Sequence, residues 1–250
     1  MTAKGFKLSP SLSDFWAPGV CPFCSDDIAS GEFVCDECLG KFERVKSPMC
    51  PVCGNPFVEG SDDHLCLDCS SKKPPFDMAR SAMIYKGVLA NMLKQLKYRR
   101  STWAARALAS FMEPSKLAIG DGFDLVVPVP QTSGQLTERG HNQAVDLAVA
   151  FCELFGFKDK LSLDALVRIK WLGSQVGLSK AAREENVRGA FSADKELVRG
   201  KSALVIDDII TTGATCRACA GALKRAGAER VVALSFARRA SSLDQEISRT

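Results

Sequence analysis

The sequence predicts an α/β protein with a mainly parallel sheet, preceded by a small cysteine-rich module. Two observations predict this fold. Eight of the eleven cysteines fall within residues 21–69, in four Cys-x-x-Cys pairs. After residue 75, apolar runs of strand length alternate with segments of helical apolar spacing, the pattern of strand–helix–strand units. We therefore expect an N-terminal extension (1–20), a cysteine module (21–70) and an α/β domain (76–240).

Composition indicates which broad class of protein this chain belongs to. With 46% apolar and 25% charged residues in 250, the chain has globular composition. No apolar run is long enough to span a bilayer, and Met1 to Val20 lacks the apolar centre of a signal peptide. We therefore expect no membrane insertion and a cytoplasmic location. Regular cysteine pairs in an intracellular protein indicate metal binding rather than disulfides.

The four cysteine pairs predict two structural zinc ions. The pairs are Cys21/Cys24, Cys35/Cys38, Cys50/Cys53 and Cys66/Cys69. Ten residues separate the first two pairs and twelve the last two, which suits short hairpins that join neighbouring pairs around one tetrahedral ion. Sequential pairing would give two zinc ribbons, and the alternative is interleaved pairing of the first pair with the third. Four sulfur ligands leave no open position for substrate, so a structural role is expected.

Apolar patterns place the elements of the second domain. Strands are expected at residues 79–85, 124–130, 162–169, 203–206 and 230–236. Helices are expected at residues 87–97, 102–112, 143–155 and 216–225. A linker is expected at residues 70–75, which end in Lys-Lys-Pro-Pro. In such a sheet, a ligand belongs beyond the carboxyl ends of the strands.

Residues 203–215 carry the strongest functional signal. Four apolar residues lead into Asp207 and Asp208, and Thr-Thr-Gly-Ala-Thr follows at 211–215 before an Ala-rich helix. Backbone N–H groups and hydroxyls at a helix start form a phosphate cradle. The two carboxylates would repel a phosphate but can accept hydrogen bonds from a sugar diol, so the pattern describes a ribose 5-phosphate. The structural alternative is a strand with capping acids, and a Walker B strand is rejected because Lys195 stands where a P-loop needs its first glycine.

This motif resembles the phosphoribosyl pyrophosphate (PRPP) binding motif of type I phosphoribosyltransferases. Further motifs have the spacing of the ComF family (ComFC/GntX-like), and the resemblance covers nearly all of the chain. These motifs are Pro128-Val129-Pro130, Arg139-Gly140-x-Asn142-Gln143, Arg168, Gln175, Leu178-Ser179, Arg183 and Asn186-Val187. The resemblance implies a type I phosphoribosyltransferase domain behind a double zinc ribbon, and a link to DNA uptake in natural competence.

The resemblance also implies roles for individual residues. The 5-phosphate site would be Thr211, Thr212, Gly213, Ala214 and Thr215. The ribose hydroxyls would contact Asp207 and Asp208, and PRPP would bring Mg²⁺. The pyrophosphate loop would be Gln131, Thr132, Ser133 and Gly134. Further substrate residues would be Arg139, Asn142 and Gln175. Asp207, Asp208 and Arg183 form the expected catalytic group, with Arg183 on a segment (170–188) that closes over the site.

The chain departs from the family pattern in the loop that would face pyrophosphate. Gln131-Thr132 replaces the usual Leu-His, Gln135 replaces an Arg, and His141 replaces a Phe. Each change alters the side chains that this loop offers to an anion, and the second removes a positive charge.

Two functions remain open from the sequence. One is a PRPP-dependent transferase that serves DNA uptake or nucleotide metabolism. The other is a non-catalytic module that senses PRPP or binds single-stranded DNA for the competence machinery. Residues 1–75 carry 7 Lys/Arg and 11 Asp/Glu, whereas the whole chain is +4, so positive charge is concentrated in the second domain. We expect any anionic partner to prefer that domain.

Overall fold

The structure is a computed structural model of the chain. It describes residues 19–21, 23–29, 32, 34–57, 62–87, 89–90, 93, 102–131, 141–169 and 189–240. Helices with both ends in these ranges are α1 (Asp36–Gly40), α2 (Leu67–Ser71), α3 (Thr102–Ser110), α4 (Glu113–Ile119), α5 (Gln143–Phe155), α6 (Lys195–Val198) and α7 (Ala214–Arg225). Strands are β1 (Met78–Ile84), β2 (Leu125–Pro128), β3 (Leu166–Arg168), β4 (Phe191–Ala193), β5 (Ser202–Ile210) and β6 (Arg230–Arg238).

Four strands form one parallel sheet in the order β1–β6–β5–β2, which confirms the predicted sheet. β5 is longer than the apolar run at 203–206 indicated. Its pairing with β6 continues from Asp207 opposite Ser235 to Ile210 opposite Arg238. The two aspartates therefore belong to the last half of the strand, because Ile209 and Ile210 continue the ladder beyond them.

Helices cover both faces of this sheet. One face packs against α4 and α5 through strand residues such as Val126, Leu204 and Leu234, and α3 packs on α5. The other face packs against α7 and the β3–β4 pair. The residues next to those in the strands, such as Val127 and Val205, form this second contact. Successive side chains of a strand point to opposite faces, so a strand buried on both sides is apolar throughout.

Three elements differ from the sequence expectations. The helix expected at 102–112 ends at Ser110, and α4 begins directly afterwards with Pro114 in its first turn. Proline is tolerated there because its missing N–H would have no intrahelical acceptor. The strand expected at 162–169 is reduced to β3, which pairs antiparallel with the unpredicted β4 outside the main sheet. The linker expected at 70–75 begins as the last turn of α2.

The helix expected at 87–97 is described only in part. Gly87, Leu89, Ala90 and Leu93 are helical, and the other residues of that segment lie outside the described ranges. Leu89 and Leu93 are both buried, in agreement with an apolar face at four-residue spacing. None of the described helices combines the length and the apolar character that crossing a bilayer requires.

The cysteine-rich part packs directly on the sheet. Cys21 and Cys38 belong to the buried cluster on the α5 face, and Cys50 and Cys69 to the cluster on the α7 face. Between the two groups, the backbone of residues 43–45 exchanges hydrogen bonds with the free side of β1. This contact covers an edge strand that would otherwise expose unpaired N–H and C=O groups.

Candidate functional site

The eight cysteines form two separate groups of four. Cys21, Cys24, Cys35 and Cys38 make the first group, and Cys50, Cys53, Cys66 and Cys69 make the second. Within each group all ligand atoms lie within 4.8 Å of one another. Four converging thiols suit tetrahedral zinc with Zn–S bonds of about 2.3 Å. The residues therefore fit two zinc ions, sequential pairing is confirmed, and the interleaved alternative is wrong.

The two cysteine groups differ in exposure. All four cysteines of the second group are buried, whereas Cys24 is exposed and Cys35 is half-buried in the first. The second group also lies tightly against β1. Gly54, directly after its first pair, has φ +70°, and a Cβ there would come within 2.6 Å of the carbonyl oxygen of Ala79. Only glycine permits this turn and this approach.

The carboxyl ends of β2 and β5 form a topological switch point of the sheet. The two strands are parallel neighbours, but α5 follows β2 onto one face and α7 follows β5 onto the other. Such a switch point leaves a gap beyond the carboxyl ends of the strands, where ligands of open α/β sheets bind. The segments that border this gap are 129–131 and 211–213. The sequence-predicted phosphate and pyrophosphate loops thus begin at the same edge of the sheet.

The segment before α7 has the geometry of an anion cradle. Gly213 is left-handed (φ +74°, ψ +4°) and immediately precedes the helix. Thr212 Oγ1 accepts a hydrogen bond from the N–H of Ala214 at 3.4 Å. The first N–H groups of a 12-residue helix have no intrahelical acceptor and point out of its N-terminus.

Asp207 and Asp208 are half-buried at the end of β5. Asp207 Oδ1 accepts the N–H of Asp208 at 2.9 Å, and Asp208 Oδ1 accepts the N–H of Ile209 at 2.7 Å. Asp207 lies within electrostatic range of Cys216 and Cys219 on α7. Each of the two carboxylates is oriented by a backbone hydrogen bond.

The thiols of Cys216 and Cys219 lie on α7 behind the cradle. Burial raises the pKa of both, and the neighbouring negative charge of Asp207 raises them further. A thiol must ionise to act as a nucleophile, so this environment disfavours thiolate chemistry and agrees with the packing role expected for two buried cysteines.

Comparison with known proteins agrees with this architecture. Residues 12–70 match the double zinc ribbon domain, and residues 106–248 match the phosphoribosyl transferase domain. The DNA utilization protein YhgH of Salmonella typhi is 30% identical over 220 residues, which cover 86% of this chain and 94% of the relative. Competence protein ComFC of Bacillus subtilis is 27% identical over 205 residues, covering 78% and 80%. The chain belongs to the ComF family.

A solved structure also resembles this ComF chain. It is the glutamine phosphoribosylpyrophosphate (PRPP) amidotransferase of Bacillus subtilis, complexed with ADP and GMP. The two are 27% identical, the TM-score is 0.35, and the likeness covers 52% of this chain and 26% of the longer one.

The start of the predicted pyrophosphate loop departs from the ComF pattern at Gln131. Its Nε2 donates to Gln143 Oε1 at 3.1 Å, while its Oε1 is buried and has no hydrogen-bond partner among the described residues. The side chain of His141 is 7% exposed, with Nε2 3.8 Å from Asp146 Oδ2. Both departures from the family therefore have defined packing positions beside α5.

Asn142 caps α5. Its Oδ1 accepts the N–H of Ala144 at 3.0 Å, and its Nδ2 donates to the carbonyl oxygen of Val129 at 3.1 Å. The cap ties the helix to the Pro-Val-Pro segment and satisfies one orphan N–H of the first turn. This role accounts for the residue type without a ligand, and direct contact with substrate stays a prediction. Other predicted residues lie outside the described ranges: Thr132, Ser133, Gly134, Arg139, Gln175 and Arg183.

Sequence reasoning missed Arg217. Its Nη1 donates to the carbonyl oxygen of Thr212 at 2.7 Å, and its Nη2 lies 3.8 Å from Asp68 Oδ2 in α2. A Cβ on Gly213 would come within 3.0 Å of the same guanidinium. An arginine near the start of the predicted helix was a signal in the sequence. The helix dipole disfavours a cation near the N-terminus unless nearby acceptors bind that cation.

Proposed function

We propose that this ComF chain binds PRPP at the carboxyl ends of β2 and β5 and transfers its ribose 5-phosphate to an acceptor. The left-handed Gly213 at the start of α7 carries the proposal, because it shapes the 211–215 segment, which directly follows β5 and begins three residues after Asp208, into an anion cradle. Family membership supports the same assignment.

The residues divide the ligand between them. The 5-phosphate lies in the cradle of Thr211 to Thr215, where helix N–H groups and hydroxyls donate hydrogen bonds. The ribose 2- and 3-hydroxyls donate to Asp207 and Asp208 at the strand end. Pyrophosphate extends toward Gln131 and the loop that follows it. Mg²⁺ brought by PRPP would neutralise pyrophosphate charge, and Asp207 and Asp208 offer the carboxylate oxygens that this ion binds.

The reaction requires no protein nucleophile. The bond from C1 of the ribose to the pyrophosphate oxygen breaks, and its electron pair leaves with pyrophosphate. A lone pair of the acceptor forms the new bond to C1, and the acceptor loses a proton. Positive charge develops on the ribose as in glycoside chemistry. The chain must therefore hold the ribose rigidly, present C1 to the acceptor and keep water away.

The biological setting follows from the relatives. Their names connect them with DNA utilization and competence. We extend that setting to this chain, with the acceptor drawn from DNA uptake or nucleotide metabolism. PRPP is an intracellular metabolite, so the proposed reaction takes place in the cytoplasm.

Pyrophosphate release tests this function. Protein is incubated with PRPP, Mg²⁺ and a series of nucleobases, and free pyrophosphate is measured. The proposal predicts release that depends on one acceptor class and is lost in the Asp207→Asn, Asp208→Asn double variant. Binding of PRPP without release for any acceptor would instead support a non-catalytic PRPP sensor. Failure to bind PRPP at all would contradict the site assignment.

A further inference from the structure

We propose that the second cysteine group is part of the support of the PRPP cradle, so that zinc at Cys50–Cys69 and PRPP at Thr211–Thr215 strengthen each other's binding. The first group, Cys21–Cys38, has no such coupling. This inference rests on the proposed function. It assigns Asp68, Arg217 and Arg238 as positioning residues that connect a metal centre to a ligand loop.

The first connection runs through Asp68 and Arg217. Asp68 stands between the two ligands Cys66 and Cys69, so zinc binding fixes its position. Its carboxylate is paired with Arg217, whose other nitrogen holds the carbonyl oxygen of Thr212. The carbonyl of a cradle residue is therefore anchored, through one side chain, to the helical turn that carries a zinc ligand.

The second connection runs through Arg238. This side chain is 6% exposed, and its Nη1 donates to the carbonyl oxygen of Cys53 at 2.9 Å while Nη2 lies 3.6 Å from Cys53 Sγ. In the sheet, Arg238 is opposite Ile210, the last residue of β5 before the cradle. A zinc tetrathiolate carries a charge of −2, which this buried guanidinium offsets. Loss of the zinc ion would thus disturb Arg238, which is paired in the sheet with the residue that directly precedes the cradle.

The third connection is packing. The four cysteines of the second group share one buried cluster with Ile210, Ala214 and Cys216. The segment after α2 also approaches α7, because a Cβ on Gly221 would meet Pro75 at 4.0 Å. Interiors at close-packed density transmit displacements rather than absorb them. We therefore expect a change in the structure of the second ribbon to change the structure of the cradle as well.

The first group supplies an internal control. It packs on the opposite face through the ring contacts of Phe23 with Phe42 and of Phe42 with Phe111, at centroid distances of 5.1 and 5.7 Å. The residue equivalent to Asp68 in its second pair is Glu37. That side chain bonds to Lys41 within its own helical region, at 2.6 Å. Its interactions do not lead to the cradle.

Linkage makes the coupling reciprocal. Zinc binding contributes folding free energy to a ribbon, so an occupied second group holds the cradle in its binding geometry. A ligand that binds the ordered cradle must then strengthen zinc binding at the second group by the same factor by which zinc improves ligand affinity. The coupling is expected at the second metal site and not at the first. The two sites can therefore be compared within one protein, with the first as the control.

Site-resolved zinc loss tests the proposal. The full-length zinc protein is exposed to a zinc-chelating dye with N-ethylmaleimide, and peptide mapping follows alkylation of each cysteine group, with and without PRPP and Mg²⁺. PRPP should slow alkylation of Cys50–Cys69 by about fivefold or more, the lower end of usual coupling factors, and leave Cys21–Cys38 unchanged. Equal rates with and without PRPP at the second group would overturn the coupling, as would equal protection of both groups.

Matched variants separate positioning from general stability. Asp68→Asn should reduce the PRPP protection of the second group and weaken PRPP binding, by about two- to fivefold for one half-exposed ion pair. Glu37→Gln should change neither. If PRPP protects the second group equally in Asp68→Asn and in wild type, Asp68 does not contribute to the coupling. Calorimetry with PRPP runs in parallel: if wild type does not bind PRPP, the proposed function fails, whereas binding without protection sinks the coupling alone.

Discussion

Arg238 joins the end of the sheet to the second zinc ribbon through Cys53, a residue 185 positions earlier in the chain. Two guanidinium nitrogens of Arg238 contact the carbonyl oxygen and the sulfur of this cysteine. Both residues are buried. A charged side chain is kept in such a position only when its partners offset the cost of desolvation. We therefore expect the ribbon and the sheet to unfold as one cooperative unit.

Replacing Arg238 tests this unity. Arg238→Met keeps an unbranched apolar stem but loses the guanidinium and its charge-assisted hydrogen bond to the Cys53 carbonyl, leaving that acceptor buried and unsatisfied. We expect the free energy of unfolding to fall by about 2 kcal/mol and zinc to leave the second group faster. Urea unfolding and zinc release measure both. Arg239→Met is the control, because Arg239 is the adjacent residue and is exposed; an equal loss in the control would contradict the account.

Metal analysis tests the double ribbon. We expect about two zinc equivalents per chain, because two separate sets of four thiols converge. Cys21→Ser should disturb metal binding at Cys35 and Cys38 and spare the second group. Elemental analysis and cysteine alkylation measure these outcomes. One equivalent or fewer in protein that remains folded would show that the ribbons do not both hold metal.

Gly213 tests the cradle. In Gly213→Ala the left-handed backbone costs about 1–2 kcal/mol, and the new Cβ comes within 3.0 Å of the Arg217 guanidinium that holds Thr212. PRPP affinity should fall at least about tenfold, or about 1.4 kcal/mol, in calorimetric titration. Gly156→Ala is the matched control, because Gly156 is also left-handed (φ +78°) but a Cβ there meets open space. Unaltered PRPP affinity in Gly213→Ala would mean that the cradle does not bind the phosphate.

Much of the fold could be predicted because the relevant signals are local. Apolar runs gave β1, β2, β5 and β6, and regular cysteine spacing gave the sequential zinc groups. The extension of β5 through Asp207 and Asp208 was missed, since two carboxylates resemble a strand end even where Ile209 and Ile210 continue the pairing. At such positions, pairing with the neighbouring strand decides the backbone conformation more than the β-propensity of the residue does.

The connections between the ribbons and the sheet were not predictable from the sequence. They join residues far apart in the chain, such as Asp68 with Arg217 and Cys53 with Arg238. No local pattern encodes a contact over such a separation. The cradle itself was predictable, because a glycine and threonines at a strand–helix junction form a local structure with a known affinity for anions.

The most direct measurement of the central claim is calorimetric titration of wild type and of the Asp207→Asn, Asp208→Asn double variant with PRPP and Mg²⁺. The amides keep Oδ1 as the acceptor for the N–H groups of Asp208 and Ile209, and they remove repulsion between adjacent charges, so thermal stability should be unchanged or raised. We predict that PRPP binds and thermally stabilises wild type, and that the variant binds at least about tenfold more weakly, about 1.4 kcal/mol. Equal affinities of the two proteins would contradict the assignment of these carboxylates to the ribose and, with it, the proposed site.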